Sequence, residues 1–177
     1  FAVGVLAITG GTANVSASTP VSFSSGTLSG GALGGASDVT CTGLLLWSGG
    51  TMSGSGKTIL TGTGTLSLNT TTHQLNRVLQ NDGTATWTAG LWQMNGGTFN
   101  NHGAFTANSS GALDCYGTGG VNAFNNAGTV TKQGAGVTRF YVYNSGVSFN
   151  NSGTVVVQGG TLGLDAGGTH SNDFAVA

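Results

Sequence analysis

From position 79 onward, apolar and polar residues alternate in short runs, and the same small group of residues precedes each run. The segments "LQNDGTATW" (79–87), "FNNHGAFTA" (99–107), "FNNAGTVTK" (124–132) and "FNNSGTVVV" (149–157) align on Gly83, Gly103, Gly128 and Gly153. Alternation over four or more positions predicts a strand with one buried face. Ala85, Phe105, Val130 and Val155 then point inward, while Thr84, Ala104, Thr129 and Thr154 point outward, as do Thr86, Thr106, Thr131 and Val156. The group returns about every 20–25 residues, a period typical of stacked repeats. Strands this short and this widely spaced cannot close separate cores. Coiled as rungs, each gains a parallel neighbour about 4.8 Å above and below.

The stacking predicts columns. Leu79, Phe99, Phe124 and Phe149 form a core column, and Phe174 joins it by keeping the phase of the three phenylalanines before it. Asn100, Asn125 and Asn150, with Gln80, form one amide column; Asn81, Asn101, Asn126 and Asn151 form the next. Stacked amides hydrogen-bond from rung to rung, and asparagine and glycine both tolerate the left-handed backbone of a tight turn. The motif therefore reads as a corner, with Gly83, Gly103, Gly128 and Gly153 as its turn glycines. In the first half, "FSSGTLSG" (23–30), "WSGGTMSG" (47–54) and "WTAGLWQM" (87–94) suggest a column of Leu28, Met52 and Trp92, with Gly26, Gly50 and Gly90 at a turn. The expected fold is all-β, a parallel β-helix (β-solenoid) of seven or eight rungs with repeats of about 20–25 residues. It is a single segment over 1–177, less regular across 1–78 and regular in the FNN rungs of 79–177.

Composition narrows the function classes. The chain has 34 glycines, one proline and 5% charged residues, against roughly 25% charged in an ordinary soluble domain. Interleaved Val, Leu, Ile, Phe and Trp supply enough apolar surface for an ordered core. A net charge of −1 with four Lys and Arg lacks the basic patch a nucleic-acid binder needs. No apolar run approaches the ~18 residues of a membrane-spanning helix. The opening "FAVGVLAITGG" lacks the basic flank and cleavage site of a signal peptide, which places any secretion signal outside this chain.

The recurring "NNxGTVxxxG" and "SGGTxSGxGxLxL" patterns resemble bacterial surface and secreted β-solenoid proteins, including the passenger regions of autotransporter-like adhesins. The resemblance implies a right-handed parallel β-helix outside the cell, engaged in adhesion or in building a surface layer or fibre. "FAVG" opens the chain and "FAVA" closes it, so that the last rung resembles the first. Open terminal rungs offer unpaired backbone groups to another rung. The expectation is continuation, through further chain or by head-to-tail stacking of copies.

Candidate chemistry is sparse. The column Asp82, His102, Ala127, Ser152 holds the residue types of a hydrolase triad, yet Ala127 separates His102 from Ser152 by two rung spacings, beyond the ~3 Å of nucleophile activation. The aspartates Asp38, Asp82, Asp114, Asp165 and Asp173 are scattered, which disfavours the paired carboxylates of a glycosidase or the calcium site of a polysaccharide lyase. His73, His102 and His170 are isolated, so no metal or other cofactor is expected. Cys41 and Cys115, about three rungs apart, read as buried free thiols about 14 Å from each other. "GSGKT" (54–58) lacks the first glycine of a phosphate-binding loop and precedes an alternating strand. The outward threonines resemble an ice-binding face, interrupted at Ala104 and Val156 and without register in the first half. Trp47, Trp87 and Trp92 fit core columns as well as sugar platforms. The sequence thus points to a non-enzymatic extracellular structural or adhesive element that partners with itself. Alternatives are a carbohydrate-binding adhesin module, and behind it a polysaccharide-degrading enzyme or an ice binder.

Overall fold

The computed structural model describes residues 2–177, with Val3 described for its backbone only. The described chain contains strands and no α-helix, and all strand pairs of the sheets are parallel. From Val39 to Leu164 each turn of the coil carries three strands. One face holds Val39–Cys41, Lys57–Leu60, Val78–Asn81, Thr98–Asn101, Asn122–Asn126 and Val147–Asn151; the second holds Leu44–Trp47, Thr65–Asn69, Thr84–Ala89, Ala104–Asn108, Thr129–Gln133, Thr154–Val157 and Phe174–Val176. The third is an 8-stranded sheet running from Thr12–Asn14 to Thr161–Leu164. In the first two turns the first two faces are continuous, because Ala2–Ile8 and Val21–Leu28 run straight through the corner and join both faces into one 15-stranded sheet. Eight turns at ~4.8 Å make a rod on the order of 40 Å long.

The alternating residues fall as the pattern requires. Ala85, Phe105, Val130 and Val155 are buried, whereas Thr84 and Thr129 are exposed and alternate with them. Trp47, Trp87, Trp92, Phe99, Phe105, Phe124, Phe140 and Phe149 are among the largest fully enclosed side chains. Their rings meet along the axis: Trp47 and Trp92 at 6.3 Å, Trp92 and Phe99 at 5.1 Å, Phe99 and Phe124 at 4.8 Å, Phe124 and Phe149 at 5.1 Å. Each such burial contributes about 1.5–3 kcal/mol, so the aromatic column is a main source of cohesion between turns.

Several predicted columns are corrected. Leu79, Phe99, Phe124 and Phe149 are in register, but Phe174 lies on the second face opposite Val155. The final turn is shorter than the two FNN turns before it: His170 already bridges Asn151, and the phase of the FNN rungs ends there. "FAVA" therefore occupies the second face, whereas Ala2 and Val3 begin on the first; Phe1 lies outside the described residues. Leu28, Met52 and Trp92 belong to three columns, since Leu28 pairs with Trp47, Met52 with Leu75, and Trp92 with His73. Gly26 is within a strand, while Gly50 and Gly90 do turn, with φ of 80° and 85°.

The FNN glycines work differently from the expectation. None has a positive φ, and no residue other than glycine does among those described. Phe-Asn-Asn ends a strand, and the bend follows at residue pairs such as His102–Gly103. A Cβ on Gly128 would sit 2.1 Å from the Gly103 carbonyl oxygen, and one on Gly103 would sit 2.1 Å from that of Gly83. These glycines exist because successive turns approach too closely for a side chain. The left-handed glycines, such as Gly31 and Gly54, shape the other two corners.

Candidate functional site

The most ordered polar feature lies at the corner between the first and second faces. Asn81, Asn101, Asn126 and Asn151 are buried and point inward. The amide of Asn81 donates to Asn101 Oδ1, that of Asn101 to Asn126 Oδ1, and that of Asn126 to Asn151 Oδ1, each at 2.7 Å. Their second N–H bonds reach the carbonyls of Ala104, Thr129 and Thr154 at 3.0–3.1 Å. The main-chain carbonyl of Asn101 accepts both N–H groups of the next bend, from Ala127 at 2.8 Å and Gly128 at 2.9 Å. Side chain and backbone of one residue thus hold the corner one turn above. Asn81 Oδ1, at the start of the ladder, is buried without a donor, because Leu60 precedes it in register.

A second ladder runs on the outer side of the same strands. Asn125 donates to Asn100 at 2.9 Å, and Asn150 to Asn125 at 2.8 Å. Gln80 does not join it: its amide contacts both carboxylate oxygens of Asp82, at 2.8 and 3.1 Å. Asp82 also meets His102 Nδ1 at 2.8 Å, a half-exposed contact between adjacent turns. An open groove of about 370 Å³ lies alongside, lined by His102, Asn125, Ala127, Asn150, Ser152 and His170 among others. Ser152 directs its hydroxyl to the Asn126 carbonyl at 3.3 Å, so this column holds no nucleophile aligned on the histidine.

The remaining candidates are structural in their contacts. Asp38 accepts the backbone N–H of Lys57 at 2.7 Å, and "GSGKT" leads from a left-handed corner at Gly54 into strand Lys57–Leu60. Both cysteines are buried free thiols on different faces, and burial raises the pKa of each, that of Cys115 strongly. His73 is enclosed beside Trp47, 5.3 Å between centroids; burial pulls its pKa down, and its Nε2 has no partner. Lys132 takes an inward position in register with Ala107 and Val157. Burial lowers its pKa, but Nζ donates to the carbonyls of Gln133, Gly134 and Gly159 at 2.6–3.1 Å, which replaces the lost hydration. The outward threonine ladder extends one turn further than expected: Thr65 and Ser67 are in register with Thr84 and Thr86, and Leu44 and Leu46 then end it.

The third face carries a cluster that no sequence motif announces. All three tyrosines of the chain lie together, Tyr116 5.3 Å from Tyr141 and 5.3 Å from Tyr143 between ring centroids. The Arg139 guanidinium lies 5.3 Å over the Tyr141 ring and is fastened to Asp114 by two bonds of 2.9 and 3.1 Å. A signal exists in the sequence, since Tyr141 follows Tyr116 at the spacing of the FNN rungs and Tyr143 stands at the next alternating position. Compared with protein-family models, with curated proteins and with solved structures, the chain matches none.

Proposed function

We propose that the chain is a rod element of an extracellular structural or adhesive assembly, of the kind to which its repeats bear resemblance. The observation that carries this reading is the direction of its cohesion. Main-chain bonds on three faces, two amide ladders and the aromatic column all run between turns along one axis. Such a molecule resists extension along its length and can grow by adding turns. Leu6, Val15, Val21, Phe23 and Val39, from the first three turns, border an apolar cavity of about 400 Å³.

Electron microscopy of the native material tests the reading. The expected result is a ~4.8 Å repeat continuing unbroken beyond eight turns. Discrete eight-turn particles with covered ends would overturn it. A second reading, a carbohydrate-binding module, is favoured by one observation, the tyrosine cluster beside polar groups.

A further inference from the structure

We infer that the third face carries a binding subsite for a neutral saccharide, formed by Tyr116, Tyr141 and Tyr143 with the Arg139–Asp114 pair. This gives the carbohydrate-binding reading a location, and it stands whether or not the rod continues.

Three features of the cluster carry the inference. The first is its gradient of exposure. Tyr116 is 8% exposed and anchored by the Gln93 amide, which donates to its hydroxyl, whereas Tyr143 is 67% exposed. A tyrosine buried at its base and open at its rim forms a firm apolar platform, and the negative face of its ring attracts the C–H groups on the flat side of a pyranose. Cohesion of the coil does not require this arrangement, because Phe140 and the other core aromatics already fill the interior.

The second is that the cluster is uncovered where a side chain would close it. Arg139 is in register with Asp114 on one side and with Gly163 on the other. A Cβ at Gly163 would come to 3.1 Å from Arg139 Cγ, so the glycine leaves the arginine stem uncovered from that side. The Arg139 side chain is 44% exposed and that of Asp114 is 16% exposed.

The third is charge. A planar guanidinium–carboxylate pair presents donors and acceptors side by side, which suits two neighbouring hydroxyls, one accepting and one donating. Asp114 and Asp165 both act on Arg139 and hold its charge state firm. Two carboxylates against one guanidinium leave the patch net negative, which opposes uronates, sulfates and phosphates. A neutral sugar is the class that uses both the rings and the pair without that repulsion.

The test is titration of the purified chain with cellotetraose, xylotetraose, mannotetraose, β-1,4-galactotetraose and trigalacturonate, read by tyrosine-ring NMR shifts and calorimetry. At least one neutral oligosaccharide is expected to bind, with shifts confined to the three tyrosines and Arg139. Tyr143→Ala, at a position 67% exposed, is expected to leave the thermal melt unchanged and to weaken binding about tenfold, and Tyr143→Phe to retain most of the affinity. Arg139→Met is expected to weaken binding while keeping the ring shifts. Absence of binding by every neutral probe, preference for trigalacturonate, or affinity unchanged in Tyr143→Ala would each overturn the subsite.

Discussion

Replacing Asn126 by alanine tests whether the buried ladder stabilises the coil. The substitution removes one bond accepted from Asn101 at 2.7 Å and two donated, to Asn151 at 2.7 Å and to the Thr154 carbonyl at 3.1 Å. Each is worth about 1 kcal/mol net. Asn101 keeps its bond to Thr129, and Asn151 Oδ1 keeps that from the Gly153 N–H. With the small void added, the expected cost is about 2–4 kcal/mol. Asn126→Asp preserves shape but sets a carboxylate against the Asn151 and Thr154 oxygens, and its expected cost at neutral pH is larger, about 3–5 kcal/mol. Burial among acceptors favours the protonated acid and raises its folded pKa above the unfolded value of about 3.9. Its stability relative to wild type is therefore best below that value and is lost as pH rises through the folded pKa. Asn125→Ala, in the half-exposed outer ladder, should cost no more than about 1 kcal/mol. Urea unfolding followed by far-UV circular dichroism gives the midpoints. If Asn125→Ala is as costly as Asn126→Ala, or if the aspartate variant is no worse than alanine at neutral pH, the assignment of cohesion to the inner amides is refuted.

Two further outcomes follow from the glycines and from His73. Gly128→Ala places a methyl group 2.1 Å from a backbone oxygen and should lower stability by at least about 1–3 kcal/mol, whereas Gly10→Ala, with nothing within 4 Å and no positive φ, should be neutral or slightly stabilising in thermal melts. His73 has a depressed pKa because of burial, so it supports the fold above the unfolded value of about 6.5 and that support is lost as pH falls through the lower folded value. The urea midpoint of wild type should fall relative to that of His73→Phe on acidification from about pH 7.5 to 5.5, and parallel curves would contradict the buried neutral imidazole.

The regular half of the chain is legible because its columns recur at a constant spacing, so that identity of residue type and identity of position coincide. Phe99, Phe124 and Phe149, and the two asparagine series, are read correctly for that reason. The first half resists because its corners vary: the step from Cys41 to its partner Leu60 is shorter than that from Thr51 to its partner Gln74. Similar Gly-Thr segments aligned across such corners put residues of different faces in one column. Phe174 is misplaced likewise, as the last turn shortens. The glycine mechanism is hidden for another reason, since a close approach between turns leaves no local trace that distinguishes it from a left-handed turn. Lys132 shows the converse, a charged residue whose inward position follows the alternation but whose carbonyl partners come from the corners.

The buried asparagine ladder also sets the increment by which this molecule can change its length. Every amide in it needs the same amide one turn away, so an added or deleted stretch preserves the ladder only when it carries a whole turn with its own Phe-Asn-Asn. Extra residues placed elsewhere must bulge at the other corners, as the segments at 109–112 and 142–146 already do. Whole-turn duplication is thus a conservative change in this architecture, and a frameless insertion at the ladder corner is not.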